Sequence, residues 1–279
     1  MRISLKRQWA SLPAFAICCV VATVVLIPLI VVMIGGLRTT GELLIAPFSI
    51  PKTLHWENFG NILAGNSPFW TEIVNSLLIA IGTVALLLVT ACPAAFVLAR
   101  ISFPGRELIF NLFLFGLLFP LTVAVLPLYV TIRDLGLLDT LWGVILPQAA
   151  FALPVTILIL RNFFRAIPIE LEDAATVDGA SKLTFFLRVL LPLARPAISV
   201  VSILATVGSW NNFLLPLLVL NDQSEWTLPI GATTYQGQYS TDWPAVLAFI
   251  TLAMIPALLI YLLAERQIVA GLTAGAVKG

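Results

Sequence analysis

Charge is what this chain has least of. Lys, Arg, Asp and Glu number 29 among 279 residues, or 10%, against 60% hydrophobic residues. A soluble domain carries about 25% charged residues, and a mean hydropathy of +1.04 excludes an ordinary soluble fold. Histidine is nearly absent. His55 is the single one, and with no companion ligand it gives no metal site and no Ser/His/Asp or Cys/His arrangement for nucleophilic catalysis. The three cysteines, Cys18, Cys19 and Cys92, all fall in apolar runs, so no disulfide framework is expected and they read as small hydrophobes. A Gly-x-x-x-x-Gly-Lys-Ser/Thr phosphate loop is missing too, so the chain is not expected to bind ATP itself.

The placement of the charges matters more than their number. Six charge-free runs occupy residues 8–37, 73–99, 108–132, 140–160, 196–221 and 243–264, each 21 to 30 residues long. Roughly 20 apolar residues cross a hydrocarbon core about 30 Å thick. The expectation is an all-α membrane protein forming a single transmembrane domain over residues 1–279. Its spans should lie near 12–36, 73–99, 108–130, 141–160, 196–220 and 243–264. The first run is too long for a signal peptide and reads as a retained helix. Because ionisable relays inside a membrane are costly and kept for function, their absence from all six runs leaves no internal ion coupling.

Orientation follows from the basic residues. With a cytoplasmic N-terminus, twelve Lys and Arg fall in inner segments, whereas Arg38, Lys52 and Arg133 alone fall outside. The positive-inside rule then puts both termini in the cytoplasm. Trp9, Trp70, Tyr129, Trp142, Trp243 and Tyr261 lie near run ends, where amphipathic rings favour the headgroup region. A net charge of +1 gives no ground for a nucleic-acid partner.

The longest inner segment, 161–195, contains ELEDAATVDGASK at 170–182, an unusual concentration of acids for this chain. Pro168 suits a first helical turn, Glu170, Glu172 and Asp173 complement its positive end, and Gly179 supplies a left-handed stop. Leu171, Ala174, Ala175 and Asp178 fall on one narrow face of mostly small residues that a partner could approach closely. Ser181 offers an N-cap for a second helix, with Leu183, Phe186 and Leu187 expected on the membrane surface before Pro192.

Asp173-Ala174-Ala175, then Gly179-Ala180, then Val189-Leu190-Leu191-Pro192 resembles the EAA loop of ATP-binding-cassette importer permeases, with Asp for Glu and Val for Ile. SWNNFLLPLLVL at 209–220, TLPIGATTYQGQYSTDW at 227–243 and GLTAGAVKG at 271–279 are similar to stretches of one branch, the maltose-type carbohydrate permeases. The chain resembles the six-span, MalG-like half of that pair. The resemblance implies a type I importer permease fold with a cytoplasmic coupling helix in a bacterial or archaeal cytoplasmic membrane. It implies that Glu172, Asp173, Ala174, Ala175, Asp178, Gly179 and Ala180 couple to a homodimeric or heterodimeric ATPase that holds ATP and Mg. It further implies a second permease subunit, a solute-binding protein and a sugar substrate.

Within the fifth run, Trp210, Asn211, Asn212 and Phe213 combine two amides with aromatics. Such a set offers a sugar stacking and hydrogen bonds, while interhelical glue is the competing role. Asn75, Ser76 and Gln148 are weaker candidates. Tyr235, Gln236, Gln238 and Tyr239 interleave aromatics with amides in an outer loop that, by the resemblance, reaches toward the solute-binding protein; a flexible loop is the plain alternative. Prolines in every run suit bent, gated spans, and are also simply commoner in membrane helices. Three functions are weighed: a permease subunit of an ATP-driven sugar importer, a passive channel or structural subunit, and a membrane enzyme. The last is disfavoured because the runs hold no acid, base or metal ligand.

Overall fold

The computed structural model describes residues 5–64, 67–237 and 239–276. Its α-helices run in the order α1 (Leu5–Gly35), α2 (Thr40–Ile45), α3 (Glu57–Leu63), α4 (Phe69–Arg100), α5 (Arg106–Phe115), α6 (Leu121–Asp134) and α7 (Leu141–Ala166). There follow α8 (Glu170–Val177), α9 (Lys182–Phe185), α10 (Leu191–Leu193), α11 (Arg195–Trp210), α12 (Leu214–Val219), α13 (Leu228–Gly231) and α14 (Trp243–Ala276). Among the described residues the only strand-like pairing is an isolated bridge between Gln236 and Thr241.

Phe15–Gly35 of α1, all of α4 and α7, and Trp243–Leu262 of α14 are each long and apolar enough to cross a membrane. Two further pairs qualify only as bent units. Arg106–Leu118 meets α6 at 101°, and Lys182–Leu193 meets α11 at 74°. Counting each pair as one crossing gives six.

The bends have local causes. Phe119 precedes Pro120 and is extended (φ −92°, ψ 104°), because the proline ring disfavours helical backbone at the residue before it. The second bend falls at Ala194 (φ −88°, ψ 4°), just ahead of Pro196 in the first turn of α11; within the segment before it, ahead of Pro192, Phe186–Leu190 widens into a π-turn in which Leu191 N–H donates to Phe186 O. A proline ring collides with the carbonyl four residues back, and a wider turn relieves that collision. Pro28, Pro93, Pro127, Pro147, Pro154 and Pro256 instead lie inside continuous helices. Pro120 therefore breaks its run, whereas these prolines leave their helices continuous.

The described chain divides into two compact units. The first holds the residues up to Ser67 with Ala232–Ile255. Its α1 exposes Phe15, Val20, Val24 and Leu26, a surface suited to hydrocarbon and not to water. Arg38, expected as an outer charge, is buried and donates through Nη1 to Ala46 O and Pro47 O, both at 2.9 Å. Asn58 Nδ2 donates to Gly36 O and Arg38 O, and Thr39 and Glu42 form a reciprocal cap on α2.

The second unit holds Pro68–Gly231 and the residues from Pro256 on. Here α4 packs along α7, and α11 packs on both. Ala91 and Ala95 permit close approach of the helices, and the seam is filled by Leu87, Ile157, Leu160, Phe164 and Leu190. Arg161 is buried at the end of this seam. Its Nε donates to Leu98 O at 3.0 Å, its guanidinium carbon lies 3.7 Å from the centre of the Phe110 ring, and Nη2 pairs with Glu107. Asp139, a non-glycine with φ 55°, accepts N–H groups from Asn221 and Asp222. Those two bonds hold its carboxyl below the ordinary carboxylate range.

Candidate functional site

The acidic segment is a helix, as its acids and Gly179 predict, although it begins at Glu170 with Pro168 outside it. Helix α8 ends at a glycine with φ +80°, and Ser181 Oγ accepts the N–H of Thr184 at the start of α9. What holds it is Arg100, the last residue of α4. Arg100 Nη2 donates to Phe164 O at 2.6 Å and to Ile167 O, which fixes the chain just ahead of α8. Its Nη1 lies 3.8 Å from Glu172 Oε2, with both side chains largely buried. The long spans and α8 are thereby joined by one side chain.

The expected docking face of Leu171, Ala174, Ala175 and Asp178 is divided by the fold. Ala175 packs inward on the core and Glu172 turns toward Arg100. Leu171, Asp173, Ala174, Asp178 and Gly179 stay open, and Ala180 is half-buried. Apolar side chains extend that open surface: Val177 is 88% exposed and Leu183 65%, with Ile169 and Leu187 also exposed. An exposed apolar patch of this kind suits contact with another protein or with the membrane surface. Phe186 departs from expectation. It is buried with its ring 4.9 Å from that of Phe96, because the π-turn rotates it away from the surface that Leu183 and Leu187 share.

Replacing Arg100 by Ala is expected to loosen α8 without dissolving its core contacts. Charge-assisted bonds contribute about 1.5–3 kcal/mol each, so the α8 amides should exchange hydrogen about tenfold faster or more. Unchanged exchange would show that α8 is held by something else.

A cavity of about 230 Å³ opens among α4, α6, α7, α11 and α12. Its polar lining comes from Thr83, Gln148, Thr156, Ser209 and Asn212; its apolar lining includes Phe151, Leu121 and Leu204. Thr83 Oγ1 donates to Gln148 Oε1 at 3.2 Å. Gln148 Nε2 and Ser209 Oγ are buried without a protein partner. Neither Thr83 nor Ser209 stands out in the sequence, although each is a polar residue deep in an apolar run, and that is the signal that could have found them.

The Trp210 to Phe213 stretch is not a continuous helical face. Helix α11 stops at Trp210 and α12 begins at Leu214. The two amides satisfy the break: Asn211 Nδ2 donates to Val207 O at 3.0 Å, and Asn212 Oδ1 accepts the N–H of Leu215 at 3.2 Å. Trp210 is buried and lines a different, mostly apolar cavity of about 340 Å³ with Leu77, Ile81 and Ile260. The expected joint site of aromatic and amides is thus separated, since Asn212 faces one cavity and Trp210 the other. Phe213 is 42% exposed.

In the loop before α14, Tyr235 turns inward, donating to Ser67 Oγ at 3.3 Å with its ring 5.7 Å from Phe249. Gln236 and Tyr239 are exposed, Tyr239 at 93%. Gln238 lies outside the described residues, as do the last three residues of the 271–279 stretch. Asn75 and Ser76, weak candidates from sequence, hold the neighbouring segment: Asn75 Nδ2 donates to Ser224 O and Trp226 O, and Ser76 Oγ accepts from Leu228 N–H. His55 is engaged by Glu57 and Thr53, which holds the Glu57 carboxyl below its ordinary range. Glu72, a charge at the mouth of the second run, is fully buried against Gly231.

Helices α4, α6, α7, α11 and α12 line a partly polar cavity, and several helices of the chain are long and apolar enough to cross a membrane. Both features fit the class of membrane permeases. The profile of the binding-protein-dependent transport system inner membrane component family matches residues 91–273, and the chain belongs to that family. It is 35% identical to the diacetylchitobiose uptake system permease protein NgcG of Streptomyces coelicolor, over 98% of this chain and 90% of that protein. It is 33% identical to the arabinooligosaccharides transport system permease protein AraQ of Bacillus subtilis, over 91% of each. Its fold is similar to that of a chain in a bacterial ABC transporter involved in the import of the acidic polysaccharide alginate. The TM-score is 0.80 at 21% identity, over 95% of this chain and 99% of that one.

Proposed function

We propose that this chain is one of two permease subunits of an ATP-driven importer that carries a sugar across the cytoplasmic membrane of a bacterium or archaeon by alternating access. Both termini and the 161–195 segment lie on the cytoplasmic side, as the basic residues require, and all 279 residues act as one transmembrane domain. The chain catalyses nothing itself. ATP and Mg are held by a separate pair of ATPase subunits, identical or different, that grip α8 and α9. A solute-binding protein delivers the sugar on the opposite side, near Gln236 and Tyr239.

The observation that carries this reading is the anchored, outward-facing α8. A channel needs no such lever, and an energised permease with no nucleotide motif and no charge inside its six apolar runs takes its energy from a neighbour. When the ATPases close, α8 moves, Arg100 transmits that displacement to α4 and α7, and the pathway changes the side to which it opens. The test is the complex purified through this chain and reconstituted in vesicles, with diacetylchitobiose and an arabinooligosaccharide as probes. A copurifying ATPase and ATP-dependent uptake are expected; flux that ignores ATP would instead establish the passive channel.

A further inference from the structure

We propose that the cavity lined by Thr83, Gln148, Ser209 and Asn212 is a contact site for an uncharged pyranose or furanose unit of the transported sugar, and that it rejects acidic sugars. This rests on the sugar-importer reading and adds the place and the charge class of the ligand.

Three observations converge on it. The first is composition: no Asp, Glu, Lys, Arg or His lines the cavity. A carboxylate or phosphate entering it would lose its water and find no counter-charge, which disfavours ionised ligands strongly. The second is unmet hydrogen bonding. Gln148 is 8% exposed and Ser209 9% exposed, and each has a polar atom with no partner in the protein, Gln148 Nε2 and Ser209 Oγ. Buried polar atoms in native proteins are nearly always paired, and the exceptions concentrate where a ligand or water completes them. Thr83 Oγ1 donates to Gln148 Oε1, which fixes the amide and leaves Nε2 as the free donor. Asn212 uses Oδ1 on Leu215 N–H, so its amide N–H groups remain to donate.

The third is complementarity. A sugar hydroxyl both donates and accepts, so it can take the Gln148 and Asn212 N–H groups and satisfy Ser209 in either sense. Phe151, Pro147 and Leu121 in the same lining offer apolar surface to the CH face of the ring. Trp210, the more conspicuous sugar-binding residue in the sequence, is committed to another cavity. Its removal is not expected to change which sugar is taken.

The experiment uses the whole importer in vesicles, first with the unaltered chain and the probes diacetylchitobiose, an arabinooligosaccharide and an alginate disaccharide. ATP-dependent uptake of an uncharged probe and none of the alginate disaccharide is expected. If no ATPase copurifies and uptake of no probe depends on ATP, the importer reading itself fails. If it prefers the alginate disaccharide, the importer reading stands and the charge-class inference is overturned. Gln148→Leu should then lower uptake of the accepted probe about tenfold, and Ser209→Ala several-fold, at equal amounts of protein in the membrane.

A second readout does not depend on turnover. Ser209→Cys, in a chain with Cys18, Cys19 and Cys92 changed to Ala, should react with N-ethylmaleimide, and the accepted sugar should slow that reaction while the alginate disaccharide does not. Alkylation unaffected by any sugar, or a Gln148→Leu chain with normal uptake, would overturn the proposal. Crosslinking of the Ser209→Cys variant to the second permease subunit in the absence of sugar would overturn it as well, since a partner side chain would then fill the cavity.

Discussion

Gly179→Asp is expected to abolish sugar uptake while the chain still reaches the membrane in normal amount. Gly179 has φ +80°, and a Cβ placed there meets nothing within 4 Å. Its N–H donates to Thr176 O, and Ala180 N–H donates to Ala175 O, which closes the end of α8. Asp is among the few residues that tolerate this backbone region, and the strain is about 1–2 kcal/mol. That strain is too small to unfold a membrane body with the core described above. What changes is the surface. A side chain now projects from the close-approach face beside Ala174 and Val177, and its carboxylate, if covered by the ATPase, is desolvated without a partner, at a cost of about 2–5 kcal/mol in binding. Gly179→Asn separates the two effects, because it keeps the shape and omits the charge, and it should retain part of the uptake. Normal transport by Gly179→Asp would mean that no protein docks on this face.

The second large effect is on folding. Gly143→Val should lower the melting temperature of the detergent-solubilised chain by about 5 °C or more and deplete it from the membrane. Gly143 lies in the first turn of α7, where Thr140 caps it and also donates to Leu137 O. A Cβ at Gly143 would collide with Leu137 O and lie 2.8 Å from Val219 Cγ1. The first is a backbone atom inside a capped turn and cannot swing aside, so α6, α7 and α12 must all separate. An unchanged melting temperature would contradict this packing.

These two glycines also show what can be read from a sequence of this kind. The role of Gly179 as a helix stop is legible because it is local: an acidic first turn, a helical stretch and a glycine in succession leave few alternatives. The apolar runs are legible for a similar reason, since hydropathy reports the solvent a segment prefers. Hydropathy is blind to backbone continuity, however. The 196–221 run contains a helix end at Trp210, two residues after Gly208, where Asn212 Oδ1 caps the next helix and Asn211 Nδ2 adds a second bond to Val207 O. The third run holds a 101° bend that hydropathy also misses, although Pro120 marks it.

Tertiary placement is the least legible. Nothing near Gly143 reveals that a carbonyl lies against it, and Glu72 looks solvated until the 224–231 segment folds over α4, tied down by Asn75 and Ser76. At the site itself, the coupling segment is legible from its residues but its orientation is not, because Ala175 and Ala174 are chemically the same and only the folded surroundings, the core against Ala175 and Arg100 beside Glu172, set which one faces out. The cavity is half legible. Gln148 and Asn212 carry amides that draw notice, whereas Thr83 and Ser209 join them only when α4, α7 and α11 come together.

The proposed route for force from another protein runs through α8, and Val177, 88% exposed at its end, is the position to ask. A photoreactive side chain substituted at residue 177 in the assembled complex should crosslink to a nucleotide-hydrolysing subunit, in a yield that changes when ATP is bound. Crosslinks to lipid alone, or to the same extent with and without that subunit present, would contradict that route.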